Sequence, residues 1–312
     1  MEKIIRILWK LFAAVIIGIP IYLFSVQVDF YNLYGSMPST DLLENPQDVL
    51  ASELYAADGI LLGKYFRDNR SPVTYEEISP NMIHALIASE DYRFEQHAGI
   101  DLWGLSRAFF LSIILQQNKG GGSTLTQQLA KNLFNIRKEV SYRGKCSSIP
   151  LLSKLILKTK EWILAVQLER AYTKQEIIAM YLNTVTFGSN TYGIKVAART
   201  FFNKTPADLR IEEAALLVGL LRAPTRYSPI KHPKSAHHIR NVVLSQMVKY
   251  GFLKQSEYDL ICEIPTELHY QEENYEKGIA PYFRGVVRDF LLKWTKENGY
   301  DLFSDGLRIY TT

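Results

Sequence analysis

Two carboxylates stand where the hydrophobic pattern calls for apolar side chains. In "ALIASEDYRFEQHAGID", residues 85–101, Glu90 falls three positions after Ile87, four after Leu86 and seven after Ile83 on one helical stripe. In "LILKTKEWILAVQLER", residues 155–170, Glu161 shares a helix face with Leu157, Leu164, Ala165 and Leu168. A carboxylate withdrawn from water is a useful proton acceptor near neutral pH, whereas a surface carboxylate is a weak base. Either acid alone reads equally as a buried ion-pair or helix-end residue. Lys158, three residues before Glu161, lies on the same side of the helix, and Lys160 flanks it. Such lysines form simple ion pairs, or they hold a leaving diphosphate as its negative charge develops. Between the two acids, the glycine run of "KGGGSTLTQQLAKNLF" leads into Thr124-Leu125-Thr126-Gln127, a capping box. Free backbone N–H groups at such a helix start suit an anionic or hydroxyl-rich ligand, although an ordinary solvated helix start has the same pattern. Gln128, Lys131 and Asn135 share one stripe of that helix, opposite Leu125, Leu129 and Leu133. No Gly-Lys-Ser/Thr follows at the spacing of a Walker loop.

The elements that must position these residues are mostly helices. Ser79-Pro80 is a cap followed by a first-turn proline and starts the helix that carries Glu90. "TKQE", Thr173 to Glu176, is a capping box opening "IIAMYLN", and Thr205-Pro206 starts a helix through "EEAALLVGLL". Asp58-Gly59 between short apolar runs predicts a small hairpin, and the terminal "DLFSDGLRIYTT" predicts a strand where the sequence stops. Residues 135–155, basic and rich in Ser, Gly and Pro, read as a mobile surface loop that could touch lipid headgroups.

Leu11 to Val28 is an uncharged run of about 18 residues, long enough with the preceding Ile4 to Trp9 to span a bilayer. Lys3, Arg6 and Lys10 precede it, and Asp29, Asp41 and Glu44 follow. By the positive-inside rule the short tail is cytoplasmic and the rest lies outside. No small-x-small cleavage site ends the run, which separates it from a signal peptide. The chain has 312 residues, 47% of them hydrophobic, so it buries a real core; its net charge of +4 is too small to indicate nucleic acid. Cys146 and Cys262 show no metal-ligand spacing and are read as buried thiols or as one disulfide.

Five stretches in order carry a resemblance to a known family. "EDYRFEQHAGID", "GGSTLTQQLAKNLF", "KTKEWILAVQLE", "KQEIIAMYLNTVTFG" and "EEAALLVGLLRAPTRYSP" resemble the five motifs of the peptidoglycan glycosyltransferases, glycosyltransferase family 51. Such domains occur in monofunctional enzymes and as the first domain of class A penicillin-binding proteins. The anchor, the linker and the terminal "DGLRIYTT" resemble the bifunctional class, in which that sequence leads toward a transpeptidase domain absent here. Ser228-Pro229-Ile230-Lys231 fits Ser-x-x-Lys, but it lies inside the fifth motif with no Lys-Thr-Gly partner and is read as coincidence.

The resemblance implies a mainly α fold: a lysozyme-like glycosyltransferase domain with a small mobile membrane-proximal lobe, preceded by one transmembrane helix. The implied organisation is 1–28 cytoplasmic tail and transmembrane helix, 29–50 linker, 51–235 glycosyltransferase domain, and 236–312 C-terminal linker region. It implies polymerisation of lipid II, as donor and acceptor, into linear β-1,4 glycan with release of undecaprenyl diphosphate at the inner (plasma) membrane. Carried over by motif, Glu90 is the general base and Glu161 positions the donor diphosphate, with Lys158 and Lys131 neutralising it. Ser123, Thr124, Gln127 and Gln128 line the donor sugar site, and Asn183 supports the cleft. Asp91, Phe94, His97 and Asp101 complete the first motif, with His97 and Asp101 ordering its loop by hydrogen bonds. No organic cofactor is implied; a divalent cation, Mg or Mn, is left open. The implied partners are lipid II, the growing glycan, membrane lipids and other cell-wall synthesis proteins, with no nucleic acid.

One departure is plain: the family's Arg-Lys-x-x-Glu has Leu157 at the Arg position, a lost cation that weakens diphosphate binding unless Lys154 or Lys160 substitutes. Two other functions fit parts of the pattern. A glycoside hydrolase also uses two carboxylates but needs neither the lysines nor an anchor. A membrane-bound scaffold that binds glycan or lipid II without turnover would need no intact acids. A nucleotide-sugar transferase is disfavoured, because there is no Asp-x-Asp pair and no alternation of strands and helices.

Overall fold

The computed structural model describes residues 2–38, 52–65, 72–113, 122–134, 136, 142–189, 191–271, 280–300, 302 and 305–311. The expected tether at 29–50 therefore falls largely outside the described residues, as do Asn135 and residues 137–141 of the basic loop. The fold is mainly α. The chain divides into two compact units, Met1–Glu44 with Arg93–Ile177 and Asn45–Tyr92 with Ile178–Thr312.

The first unit holds α1 (Glu2–Gln27), α3 (Leu102–Ile113), α4 (Leu125–Leu133) and α5 (Pro150–Ala171). Among the described residues, α1 is the one helix long and apolar enough to cross a membrane. Its 26 residues span about 39 Å at 1.5 Å per residue, against a hydrocarbon core of about 30 Å. Leu125, Leu129 and Ala130 of α4 and Ile156, Leu164, Ala165 and Leu168 of α5 are buried, so the apolar stripes of both helices form this unit's core. Pro150 opens α5 within the stretch read as loop, and Lys145–Ser148 just before it form a 3-10 turn.

The second unit holds α2 (Pro80–Glu90), α7 (Ile194–Phe202), α8 (Ile211–Arg222), α9 (Pro233–Lys249), α10 (Gln255–Ile261) and α11 (Pro281–Asn298), while α6 (Lys174–Thr184) runs from one unit into the other. Ser79 caps α2 by accepting the Asn81 N–H at 3.2 Å, with Pro80 at the first helical position. Thr205-Pro206 opens only a three-residue 3-10 turn, Pro206–Asp208. The α-helix begins at Ile211, because the Glu213 carboxylate accepts the Arg210 backbone N–H at 2.8 Å and starts a new helix there. Residues 236–249 belong to α9, which packs against α2 and α8 through Ile239, Val243, Leu244 and Met247.

The hairpin around Asp58-Gly59 is present as β1 (Ser52–Tyr55) and β2 (Leu61–Tyr65), paired antiparallel. The C-terminal strand β5 (Arg308–Tyr310) runs parallel to β1, pairing Glu53 with Arg308 and Tyr55 with Tyr310, so the sheet order is β2-β1-β5. Leu54, Leu62 and Tyr65 of the sheet pack on Leu291 of α11 and on Leu302. A second, two-stranded ladder joins β3 (Thr186–Gly188) and β4 (Thr191–Tyr192).

Candidate active site

In the first unit, Lys158 gathers three of the sequence-identified residues. Its Nζ donates to Ser123 Oγ at 2.8 Å, Gln127 Oε1 at 2.9 Å and Glu161 Oε2 at 3.0 Å. Helix spacing puts Lys158 one turn before Glu161, and the start of α4 delivers the other two. Glu161 is 2% exposed and Lys158 26%, so the carboxylate is the buried partner and the ammonium the accessible one. A cation that already holds a hydroxyl, an amide and a carboxylate can exchange one of them for a phosphate oxygen at little geometric cost.

Thr124 and Gln127 also bind the first-motif loop. The Thr124 hydroxyl accepts the Gln127 N–H at 3.2 Å and donates to the Gly99 carbonyl at 2.7 Å, which the Gln127 amide also reaches at 3.0 Å. Both side chains are buried, at 2% and 1% exposure, and they tie the first-motif loop to the helix start of the second. The capping box is thus half made: Thr124 caps, and Gln127 turns to Gly99 in place of the Thr124 N–H. Gln128 and Lys131 are half-buried on α4.

The first-motif loop is held from several sides. His97 Nδ1 accepts the Gly99 N–H at 3.3 Å, and Asp101 Oδ1 accepts the Trp103 N–H at 3.1 Å and lies 3.6 Å from Arg93. Phe94 is fully buried, with Lys174 Nζ 4.2 Å from its ring centroid. That lysine also donates to the His97 carbonyl at 2.6 Å and pairs with Glu169, whose carboxylate accepts the Thr126 hydroxyl at 2.6 Å. Four motifs therefore meet at one ion pair that the sequence pattern did not reveal; its two members, five residues apart, straddle the end of α5. Glu169 is 5% exposed and Lys174 23%. Lys174→Met should cost about 2 kcal/mol, below the roughly 3–5 of a fully buried pair because Lys174 is partly solvated. Differential scanning calorimetry should read this as a fall of roughly 4–8 °C in the midpoint of this unit.

In the second unit, Glu90 is the last residue of α2, which explains an acid at the end of an apolar stripe. A carboxylate at the negative end of a helix dipole calls for a nearby cation. Arg222, the last residue of α8, supplies it with Nε 3.6 Å from Glu90 Oε1, and its Nη2 donates to Ser89 Oγ at 3.1 Å. Glu90 is 16% exposed, accessible to a substrate yet largely withdrawn from water. Tyr181 of α6 is buried nearby; burial pushes its hydroxyl far above the ordinary tyrosine value, and the charge of Glu90 adds to the rise. Asp91 is buried at the end of α2. Asn183 makes a two-way bridge to Val73, accepting its N–H at 3.0 Å and donating to its carbonyl at 2.9 Å, so it holds the segment before α2. Arg222 and Tyr181 lie inside quoted motifs, but only the fold sets them beside Glu90. Among the described residues, no group of three or more His, Cys, Asp or Glu side chains is placed to hold a metal ion.

A family model described as "Transglycosylase" matches residues 58–248, more than half of the chain and including every residue of both clusters. The chain belongs to the transglycosylase family. Its matched domain is a peptidoglycan glycosyltransferase domain, and the relatives agree with this assignment. Penicillin-binding protein 1A of Pseudomonas aeruginosa is 32% identical over 310 residues, 99% of this chain and 35% of the relative. The proteins of the same name from Aquifex aeolicus and Escherichia coli are 35% and 34% identical, covering 95% and 90% of this chain and 38% and 32% of theirs. This transglycosylase chain thus spans about a third of the length of the relatives it matches. The crystal structure of penicillin-binding protein 1A from Haemophilus influenzae aligns over 84% of this chain and 26% of its own, with 21% identity and a TM-score of 0.45.

Proposed function

We propose that this chain polymerises lipid II into linear β-1,4 glycan at the outer face of the inner membrane, releasing undecaprenyl diphosphate. The observation that carries this reading is the Lys158 cluster, an accessible ammonium backed by the buried Glu161 and fed by Ser123 and Gln127 from a helix start. In this reading the donor diphosphate lies on Lys158, with Lys131 of the neighbouring helix adding charge, and Glu161 holds the ammonium in place. Glu90 takes the proton from the acceptor 4-hydroxyl while that oxygen attacks the anomeric carbon, and the diphosphate departs with inversion. Lys154, exposed one turn before Lys158, is the cation able to make up for Leu157. In this reading helix α1, long and apolar enough to cross a membrane, is the anchor; its short basic tail is cytoplasmic and the domain lies on the side where a lipid-linked substrate emerges.

The test is incubation of the full chain, in detergent or nanodiscs, with labelled lipid II. Polymer should accumulate with one undecaprenyl diphosphate released per bond formed. Reducing ends released from preformed glycan, without polymer, would make the two acids a hydrolytic pair; lipid II binding without turnover would make the chain a scaffold.

A further inference from the structure

Lys160 is a side chain the catalytic reading does not use. It is fully buried, and its Nζ donates to three backbone carbonyls: Gly35 at 2.7 Å, Ser36 at 2.8 Å and Tyr142 at 3.0 Å. An ammonium has three donors and no acceptor, so these three carbonyls use it completely. Burial pushes Lys160 down to about 8, against the opposing charge of Asp29, so it is still an ammonium at neutral pH and all three bonds are charge-assisted. It therefore cannot be the spare cation that replaces the missing third-motif arginine.

The carbonyls it gathers belong to the segment just after α1 and to the turn before α5, and these backbones touch directly. A Cβ on Gly35, which has φ +82°, would stand 2.5 Å from the Tyr142 carbonyl carbon, and one on Gly144 would stand 2.3 Å from the Gly35 nitrogen. Asp29 Oδ1 accepts the N–H groups of Tyr34 and Gly35 at 2.9 and 2.8 Å, and the Leu33 carbonyl accepts the Cys146 N–H at 2.9 Å. The Tyr22 hydroxyl of α1 meets Thr159 Oγ1, beside Lys160 on α5, at 3.1 Å. The next residue along α5 is Glu161.

We propose that Lys160 is a positioning residue that fastens the exit of the membrane anchor to the helix carrying Lys158 and Glu161, so that anchor and diphosphate-binding face move as one body. The functional consequence rests on the donor reading of Lys158 and Glu161; the fastening does not. A lipid-linked diphosphate sits at a depth set by its tail in the bilayer, so the height of α5 above the membrane decides how readily Lys158 meets it. Displacements of about 1 Å matter at this level. Loosening the clasp therefore weakens capture more than chemistry, because a donor already bound restores the local geometry.

The experiment compares wild type, Lys160→Met and Asp29→Ala as full chains in nanodiscs. Met keeps the volume and removes all three donors; Asp29→Ala releases the Tyr34 and Gly35 N–H groups and leaves the three Lys160 donors in place, while also removing the charge that favours the ammonium. Amide hydrogen exchange is read at Cys146, whose N–H bonds neither replaced side chain, and steady-state polymerisation of lipid II is read alongside. Both variants should speed exchange at Cys146 tenfold or more and leave α4 protected, with KM raised three- to tenfold and kcat within twofold. Unchanged exchange at Cys146 in both variants overturns the fastening. Faster exchange throughout α4 also overturns it, by making Lys160 an ordinary packing residue. Loosened exchange with a loss confined to kcat overturns the link to donor capture. If wild type makes no polymer, the proposed activity fails while the exchange measurement still decides the clasp.

Discussion

Glu90→Gln should lower the rate of glycan polymerisation by about 10²- to 10⁴-fold, the range associated with loss of a positioned general base. Glutamine keeps the side-chain length and one oxygen acceptor but takes no proton from an attacking hydroxyl. The Arg222 contact is 3.6 Å long between groups 16% and 37% exposed, so losing that contact itself costs only about 0–1 kcal/mol. Lipid II binding should survive, because the donor cluster around Lys158 is built from other residues. The measurement is kcat with labelled lipid II, read together with calorimetry. A variant that keeps more than a tenth of the wild-type rate while folded would remove Glu90 from the proton transfer. Glu90→Asp is the useful companion: the charge stays while the carboxylate retreats by about one methylene, and a loss of roughly 10²-fold there would assign the effect to position.

What could be read from the sequence is local. Ser79-Pro80, the Asp58-Gly59 turn and the Thr173–Glu176 box each involve contacts within a few residues, and each appears in the fold, the box with the Thr173 N–H donating to Glu176 at 2.7 Å. Thr205-Pro206 shows the limit of such signals, because a cap followed by proline starts a 3-10 turn as readily as an α-helix. The next cap, at Arg210 with Glu213, decided where the helix began. The candidate site splits along the same line. That Lys158 and Glu161 share a helix face follows from their spacing, whereas their meeting with Ser123 and Gln127 requires α4 to pack on α5. Lys160 was the hardest residue to read. By pattern it is one more cation in a basic motif, and only the convergence of Gly35, Ser36 and Tyr142 from distant parts of the chain shows that its charge is consumed. The pairing of β5 with β1 is equally invisible, since 255 residues separate Glu53 from Arg308 and nothing in either strand names its partner.

Lys158→Met should lower kcat/KM for lipid II by about 10²- to 10³-fold, the scale of removing one preorganised charge from a developing anion. The effect should be divided between binding and chemistry, because the diphosphate is charged before the bond breaks and gains charge as it leaves. Methionine fills the same space but donates nothing to Ser123, Gln127 or Glu161, and with Glu161 only 2% exposed this withdraws a partner from a buried carboxylate. A stability loss of about 1–3 kcal/mol should accompany the kinetic one. Lys158→Arg separates the two effects, because it restores a cation beside Glu161 while replacing a compact ammonium by a planar fork. If the site requires a charge at this place, arginine should recover most of the stability and at least tenfold of the lost kcat/KM. Recovery of stability with no recovery of rate would mean that Lys158 serves the fold alone. The diphosphate would then have to be held by Lys131 and Lys154, and the donor reading of the first unit would move from α5 toward α4 and the start of α5.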